Sequence, residues 1–164
     1  MLPDLLAPNL KVVICGTAAG PQSATLQQYY AGQGNKFWRT LFEICLTPRP
    51  IQPSEYEQLL SYAIGLTDLV KNKSGMDYNL SSTDFGSDVL VEKILKYKPK
   101  FLCFNGKRAG KEFLLNNYVD YGLQEEKIGV TRLFIAPSTS SAANGWWDIN
   151  IWQELANYFN DIST

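Results

Sequence analysis

Residues 12–38, VVICGTAAGPQSATLQQYYAGQGNKFW, decide the fold. Val12 to Cys15 form an unbroken apolar run, which predicts a strand buried on both faces of a parallel sheet. Gly16 and Gly20 follow it and predict a tight turn at its carboxyl end. Open α/β sheets bind ligands at this edge, and glycine lets backbone N–H groups approach an anion or a base because no Cβ is in the way. A Gly-x-x-x-Gly spacing is weak evidence alone, so the rest of the chain decides its meaning.

Composition sets the outer limits of the interpretation. The 164 residues are 45% hydrophobic and 19% charged, and we expect a single domain over residues 1–164. A net charge of −1 excludes a strongly basic coat, so DNA contact would depend on local clusters of Lys and Arg. The sequence has neither a signal-peptide pattern nor a bilayer-length apolar run. We therefore expect no membrane partner, a monomer, and a location in the cytoplasm with the nucleoid of a prokaryote or in the nucleus of a eukaryote.

Histidine and cysteine usage narrows the chemistry. The chain has no histidine, which excludes Ser-His-Asp and Cys-His nucleophiles and His-ligated metals. Cys15, Cys45 and Cys103 are far apart among apolar neighbours, as is typical of reduced thiols rather than of a disulfide or a metal site. We expect no metal and no cofactor. Chemistry must then come from carboxylates, amides, hydroxyls and backbone dipoles.

Strand and helix patterns alternate along the chain. Besides the first strand, strands are predicted at 64–70, 101–104 and 131–136, and helices from Lys36 onward, from Ser54 to about Tyr62, and at 89–95, 107–116 and 150–159. Ser54 and Glu57 have the spacing of a capping box. This alternation predicts an α/β protein, a three-layer α/β/α sandwich with a central, mainly parallel sheet.

Four polar segments follow the predicted strands, at 16–20, 67–77, 105–108 and 137–144. The carboxyl ends of parallel strands meet at one edge, so we expect these segments to line one cleft. An aromatic ring from Tyr29 or Tyr30 and a cationic rim suit a nucleobase attached to a phosphate backbone. The expected rim cations are Lys36, Arg39, Lys71, Lys73, Lys107, Arg108 and Lys111. The turn lacks the Lys-Ser or Lys-Thr of a P-loop, which argues against a nucleoside triphosphate.

Five segments carry a family resemblance. They are GTAAG at 16–20, YAGQGNKFW at 30–38, GLTDLV at 65–70, FNGK at 104–107 and APSTSSA at 136–142. In this order they resemble the motifs of the mismatch-specific uracil-DNA and thymine-DNA glycosylases of the uracil-DNA glycosylase superfamily. The resemblance implies a DNA repair enzyme that flips uracil, or a related deaminated or mismatched base, out of DNA. It would hydrolyse the N-glycosidic bond without a cofactor and leave an abasic site.

The resemblance also assigns roles to residues. The positions that bind the base edge are Thr17, Ala18, Ala19 and Gly20, and Tyr30 occupies the position of a ring that stacks on the base. The resemblance places the DNA contacts at Ser138, Thr139, Ser140, Ser141, Ala142 and Asn144, and the predicted cationic rim adds Lys71 and Lys107. Ala142 stands where the family inserts a side chain into the emptied duplex, and Asn144 where it reads the widowed guanine.

Ala18 is the largest departure, because the family places there an asparagine that holds the attacking water. Base loss passes through an oxocarbenium-like sugar, so one carboxylate can both position water and stabilise the cation. Asp68, beside a buried strand, is the first candidate for this role, and its alternative role is to bond backbone N–H groups in a turn. Asp77 is the second candidate, since its long loop could carry it inward. Asn35 is an uncharged third candidate that could instead cap a helix.

Three functional interpretations remain open. The first is an active monofunctional glycosylase. The second is a catalytically weak or inactive relative that binds lesions, which the methyl group of Ala18 makes credible. The third is an unrelated α/β nucleotide-binding domain that shares only the glycine-rich turn. Trp146, Trp147 and Asp148 are interpreted as packing residues and a helix cap, and Tyr29 as a surface residue if it is not the cleft aromatic.

Overall fold

The computed structural model describes residues 2–71 and 87–161. Its elements in chain order are β1 (Val12–Ala18), α1 (Pro21–Leu26), α2 (Phe37–Glu43), a first 3-10 helix (Pro53–Tyr62), β2 (Ile64–Val70), α3 (Ser87–Tyr97), β3 (Phe101–Asn105), α4 (Lys107–Leu114), β4 (Gly122–Ile128), β5 (Thr131–Ala136), a second 3-10 helix (Ser141–Trp146) and α5 (Ile149–Asp161). Within the described ranges, every helix is too short or too polar to span a membrane.

The five strands form one sheet in the order β2-β1-β3-β5-β4. The first four are parallel to their neighbours, and β4 runs antiparallel to β5. Cys15 of β1 pairs with Thr67 of β2 and Phe104 of β3, so the carboxyl ends of these three strands lie side by side. Helices cover both faces, which confirms the predicted α/β/α sandwich with a mainly parallel sheet.

Side chains of the central strands alternate between two cores. Val12 and Ile14 of β1 belong to the core that contains Trp152 of α5 and residues of α2. Val13 and Cys15 belong to the opposite core, with residues of α3 and α4. All four β1 side chains are completely buried, which explains why this strand is an unbroken apolar run rather than an alternating one.

Two local predictions are corrected by the structure. Strand β4 has no predicted counterpart, because its middle, QEEK at 124–127, is polar and partly or fully exposed at the sheet edge. The first 3-10 helix has its capping box at Gln52 and Glu55 rather than at Ser54 and Glu57. A proline follows Gln52 directly, and proline favours the first position of a helix, which places the helix start earlier.

Two side chains have environments opposite to those expected. Tyr29 is only 2% exposed and therefore is not a surface residue. Its hydroxyl donates to the carbonyl oxygen of Pro3 at 2.9 Å, and its own carbonyl accepts from Trp38 Nε1 at 3.0 Å. Cys45 is exposed rather than packed among apolar groups, although Cys15 and Cys103 are buried as expected.

The amino-terminal residues cross the outer edge of β2. Leu5 and Leu66 exchange backbone hydrogen bonds of 2.9 and 2.8 Å in an antiparallel bridge. Gly65 permits this approach, because a Cβ at that position would lie 2.7 Å from the carbonyl oxygen of Leu5. The bridge brings Asp4 to the carboxyl end of β2, where its Oδ1 accepts from Thr67 Oγ1 at 2.6 Å.

Candidate active site

A cleft of about 1170 Å³ opens at the carboxyl edge of the sheet. Ligand pockets typically enclose roughly 300–1,000 Å³, so this cleft has room for a nucleotide. Its lining includes residues 16–23, 29–30, 68, 105–108 and 138–143. The four predicted polar segments therefore meet at one edge, although residues 72–77 of the second segment lie outside the described residues.

Asp68 and Tyr30 meet above Gly16 in this cleft. A Cβ built on Gly16 would lie 2.8 Å from Oδ1 of Asp68 and 3.2 Å from the hydroxyl oxygen of Tyr30. Only glycine leaves space for both oxygens at this point of β1. The side chain of Asp68 is buried, and Asp68 is only 6% exposed. The structure thus brings together the two residues expected to share the pocket.

Asp68 belongs to a network of alternating acidic and basic side chains. Lys71 Nζ lies 3.4 Å from Asp68 Oδ2 and 2.8 Å from Asp4 Oδ1, while Lys93 Nζ lies 2.6 Å from Asp4 Oδ2. Burial raises the pKa of Asp68 above its ordinary value, and Lys71 offsets part of that increase. Burial also opposes ionisation of Asp4, but hydrogen bonds from Lys71, Lys93 and Thr67 outweigh it and lower the pKa of Asp4.

Lys71 does not stand at the rim of the cleft, which corrects the predicted location. Its ammonium also donates to the carbonyl oxygen of Leu2 at 3.1 Å and to the hydroxyl of Tyr29 at 3.0 Å. The carboxylates of Asp4 and Asp68 also contact this ammonium group, and the side chain of Lys71 is only 17% exposed. The geometry therefore favours an internal role for Lys71 and gives no support to a contact between Lys71 and DNA.

Tyr30 lines the cleft with its ring, one face of which is occupied. The rings of Tyr30 and Phe37 are stacked, with centroids 4.1 Å apart and planes 25° from parallel. Only the other face of Tyr30 is left for a base. Asn35 also lines the cleft, and its Oδ1 accepts from the backbone N–H of Phe37 at 3.0 Å in an Asx turn that directly precedes Lys36, the N-cap of α2.

The base-edge and loop positions gather around the same opening. Thr17, Ala18, Ala19, Gly20, Ser138, Thr139, Ser140, Ser141 and Ala142 all line the cleft. Asn105 fixes the loop, because both ends of its amide bond Thr139: Nδ2 donates to Oγ1, and Oδ1 accepts from the backbone N–H, each at 3.0 Å. Sequence reasoning gave Asn105 no role of its own, although an asparagine directly after a buried strand was a usable signal.

The second 3-10 helix forms part of the rim. Trp146 lines the cleft and is 69% exposed, which corrects its interpretation as a packing residue. Trp147 packs as expected beneath the ammonium of Lys36, 5.3 Å from its ring. Asp148 caps the next helix, since its Oδ1 accepts from the backbone N–H of Asn150 at 2.9 Å. The side chain of Asn144 accepts from Lys36 Nζ and does not line the cleft.

Cations and carboxylates are unevenly distributed around the opening. Lys107, Arg108 and Lys111 line it, with Lys107 Nζ 4.4 Å from the ring centroid of Tyr121. Arg39 lies elsewhere and pairs with Glu43 at 3.6 Å. Lys73 and Asp77 are outside the described residues.

Asp68 is the one acidic residue among the described residues that line the cleft. Over the ranges 2–71 and 87–161, no three Cys, Asp or Glu side chains are grouped so that they could hold a metal ion. Burial raises the pKa of both the Cys15 and Cys103 thiols, which keeps them protonated. Asp68 is therefore the one carboxylate that the described part of the cleft offers for acid–base chemistry.

Comparison with known proteins matches the chain to a family model and to solved structures. The family model of the uracil DNA glycosylase superfamily matches residues 3–156. The solution NMR structure of a candidate uracil DNA glycosylase from Methanosarcina acetivorans is similar, with a TM-score of 0.67 and 24% sequence identity. The similarity covers 97% of this chain and 96% of that chain. At this level of identity, the structural match shows a shared fold.

Proposed function

The chain belongs to the uracil DNA glycosylase superfamily, and we propose that it removes uracil, or a related deaminated or mismatched base, from DNA as a monofunctional glycosylase. The target base leaves the helix and enters the cleft, where Tyr30 stacks on it. The enzyme acts as a monomer on DNA in the nucleoid or the nucleus. Membership of this superfamily excludes the interpretation of an unrelated α/β domain that shares only the glycine-rich turn.

The carboxylate of Asp68 is the observation that carries the proposal. It lies in a nucleotide-sized cleft, buried beside the turn where Ala18 provides no amide for water. Its Oδ2 is held by Lys71, while its Oδ1 is the oxygen above Gly16. A buried carboxylate with a raised pKa is a stronger base than one in water. These features suit the removal of a proton from a water molecule.

The reaction balances with this one acid–base group. A water oxygen bonds to C1′ of the deoxyribose while Asp68 accepts one of the water protons. The bond between C1′ and the base nitrogen breaks, and its electron pair leaves with the base as an anion. The negative charge of Asp68 also stabilises the oxocarbenium-like sugar. Backbone N–H groups at 18–20, together with Thr17, receive the edge of the departing base.

DNA contact is proposed for the loop and the basic rim. Ser138 to Ala142 line the cleft with hydroxyl groups and backbone, which suits the grip on phosphates either side of the flipped nucleotide. Lys107 adds a cation at the same opening. Asn144 sits one step outside the cleft and is proposed to meet the base left unpaired in the opposite strand.

Cleavage of labelled oligonucleotides tests the proposal. The substrates are a duplex with a G·U mismatch, a duplex with an A·U pair and single-stranded uracil DNA, each with a thymine counterpart. Abasic product is detected by strand breakage in alkali. The wild type is expected to cleave uracil strands, and Asp68→Asn to lose at least about 100-fold in rate while it retains binding, as is usual when a general base is removed.

Two variants serve as comparisons. Asp120→Asn changes an exposed carboxylate outside the cleft and should leave cleavage unchanged. Asp77→Asn tests the second carboxylate candidate. If Asp77→Asn loses all cleavage activity while Asp68→Asn remains fully active, the general base is Asp77 rather than Asp68. If the wild type binds uracil DNA but does not cleave it, the protein is a lesion-binding relative in which Ala18 has replaced the amide that holds the attacking water. A wild type that neither binds nor cleaves uracil DNA would contradict both functions.

A further inference from the structure

The cleft extends across the whole width of the sheet. Asp68 belongs to β2, one outer strand, and Tyr121 directly precedes Gly122, the first residue of β4, which is the other outer strand. Gly122 pairs with Ile135 near the end of β5, so the antiparallel strand β4 begins at the same carboxyl edge where β5 ends. Both Asp68 and Tyr121 line the cleft. Four strand spacings separate the outer strands, which at roughly 4.8 Å each amount to about 19 Å.

A flipped base fills only part of this space. Its proposed place is against Tyr30 and Asp68, at the end of the cleft formed by β1 and β2. Bases stacked along a strand are about 3.4 Å apart, so the width of the cleft corresponds to more than one nucleotide. The volume of about 1170 Å³ is likewise above the usual range of ligand pockets, roughly 300–1,000 Å³. The opposite end of the cleft therefore has room for another part of the substrate.

Cationic side chains supported by an aromatic ring form this opposite end, which we call the β4 end of the cleft (Lys107, Arg108, Lys111 and Tyr121). Lys107 and Lys111 are four residues apart on α4 and so share one face of the helix. The ammonium of Lys107 lies 4.4 Å from the ring centroid of Tyr121, and this ring packs against the core beneath α3 and α4. Arg108 pairs with Glu112 at 3.4 Å, which neutralises part of its charge. Lys107 and Lys111 therefore carry most of the positive charge at this end.

The charges of the cleft are separated along its length. Among the described residues that line it, Asp68 is the one acidic side chain, and it lies at the β2 end. The β4 end is thus a local concentration of positive charge in a chain whose net charge is −1. Lysines near an aromatic ring are the groups that hold the phosphates of a nucleic acid strand.

We propose that the β4 end of the cleft is a second DNA subsite, where Lys107 and Lys111 bind a phosphate of the substrate strand beyond the flipped nucleotide. Tyr121 is a positioning residue, because its ring holds the ammonium of Lys107 at the cleft wall. The inference rests on the proposed glycosylase function and adds a requirement for neighbouring nucleotides. Binding energy from such a remote contact is available to place the reacting sugar against Asp68.

A series of substrate lengths tests the subsite. Single-stranded oligonucleotides carry one deoxyuridine and are lengthened by one nucleotide at a time, on the 5′ side, the 3′ side or both. For the wild type, kcat/KM should rise about tenfold or more once the strand reaches the β4 end, and then level off. Lys111→Gln should lose most of this gain on the longer strands. Lys127→Gln, which changes an exposed lysine of β4 outside the cleft, should show the gain of the wild type.

Two variants of Tyr121 test its positioning role. Tyr121→Leu removes the ring beside Lys107, whereas Tyr121→Phe keeps it. We expect Tyr121→Leu to lower the ratio of kcat/KM between long and short strands about threefold or more, and Tyr121→Phe to retain the ratio of the wild type. A substitution that only loosened the fold would slow long and short strands by the same factor. Equal ratios for Tyr121→Leu and Tyr121→Phe would therefore overturn the role of Tyr121.

The outcomes separate the subsite from the proposed function. A wild type that neither binds nor cleaves uracil DNA overturns both. An active wild type whose kcat/KM does not depend on strand length, or a Lys111→Gln variant with the full gain, overturns the subsite alone. If the wild type binds uracil DNA without cleaving it, the glycosylase function fails. The same length series, read as affinity by fluorescence anisotropy, then supports the subsite if affinity rises with length in the wild type and not in Lys111→Gln, and overturns it otherwise.

Discussion

The ammonium group of Lys71 lies 3.4 Å from Oδ2 of Asp68, inside the protein rather than on its surface. The same ammonium is shared with Asp4, so one cation serves two carboxylates. Lys71 therefore fixes the position of Asp68 through Oδ2 and offsets only part of the increase in pKa that burial causes.

Lys71→Met should move the pH dependence of excision. Asp68 acts in its ionised form, so the rate falls as pH drops through its pKa. Removing Lys71 raises that pKa further, because only Lys93 then opposes burial and the charge of Asp4. The acid limb of the rate profile is expected at higher pH, with a roughly tenfold lower rate on that limb. Single-turnover rates across the pH range measure this, with exposed Lys127→Met as control. An acid limb that does not move would contradict the role of Lys71.

Asp4→Asn should destabilise the protein in a pH-dependent manner. The pKa of Asp4 is lowered, so its ion pairs stabilise the fold above its unfolded pKa and are lost as pH falls through its folded pKa. We expect a loss of about 2 kcal/mol at neutral pH, between the values of surface and buried pairs. The gap to wild type should close in acid, which urea unfolding at neutral and acid pH measures. A gap that stays constant would exclude this linkage.

Gly16→Ala should damage catalysis more than stability. The new methyl group would lie 2.8 Å from Asp68 Oδ1, so the carboxylate must shift from its place. We expect at least a tenfold lower excision rate and a stability loss of about 1 kcal/mol from overpacking. Gly145→Ala is the control, because a Cβ there meets nothing within 4 Å. A Gly16→Ala variant as active as Gly145→Ala would show that the position of Asp68 does not matter.

Trp146→Ala should weaken DNA binding without affecting the fold. The indole is largely exposed at the cleft rim, where it can stack on a base. Base–aromatic stacking contributes about 1–3 kcal/mol, so we expect affinity for single-stranded DNA to fall about tenfold or more at unchanged Tm. Fluorescence anisotropy measures the affinity. Tyr118→Ala, which changes an even more exposed aromatic residue outside the cleft, should bind as the wild type does. Equal affinities for the two variants would rule out stacking by Trp146.

Lys107→Gln should reduce the salt dependence of DNA binding. Each phosphate neutralised by a lysine adds about one to the slope of log affinity against log salt. The net charge of −1 predicts contact with only a handful of phosphates, so losing one should be visible. Affinity is measured across a salt series for both wild type and variant. A slope unchanged from the wild type would place Lys107 away from the phosphates.

The parallel core of the fold could be predicted from sequence because its strands are short, mostly apolar and almost completely buried. Ile64–Val70 and Thr131–Ala136 have the predicted bounds, although the first contains Thr67 and Asp68 and the second begins with Thr131 and Arg132. Strand β4 escaped prediction because it is an edge strand with QEEK in its middle, and its pairing with β5 depends on a partner rather than on its own pattern.

The site was partly predictable for a related reason. Strand topology brings Asp68 and Tyr30 to one edge, and the glycine turn marks that edge in the sequence. The link from Asp4 to Lys71 was not predictable, because it joins distant segments through the Leu5–Leu66 bridge. A lysine in this sequence context could equally lie at the surface or inside the protein. Lys71 is internal because the carboxylates of Asp4 and Asp68 lie on either side of its ammonium group.

The bridge between Leu5 and Leu66 makes the cleft sensitive to proteolysis of the segment that contains Leu5. A protease that trims residues 2–5 would remove an edge pairing, a carbonyl ligand and a carboxylate in one cut. Without Asp4, the ammonium of Lys71 would interact with Asp68 alone. The pKa of Asp68 would then fall, which makes Asp68 a weaker base. Loss of these residues would therefore alter the surroundings of Asp68 in the cleft, whose lining includes Leu2.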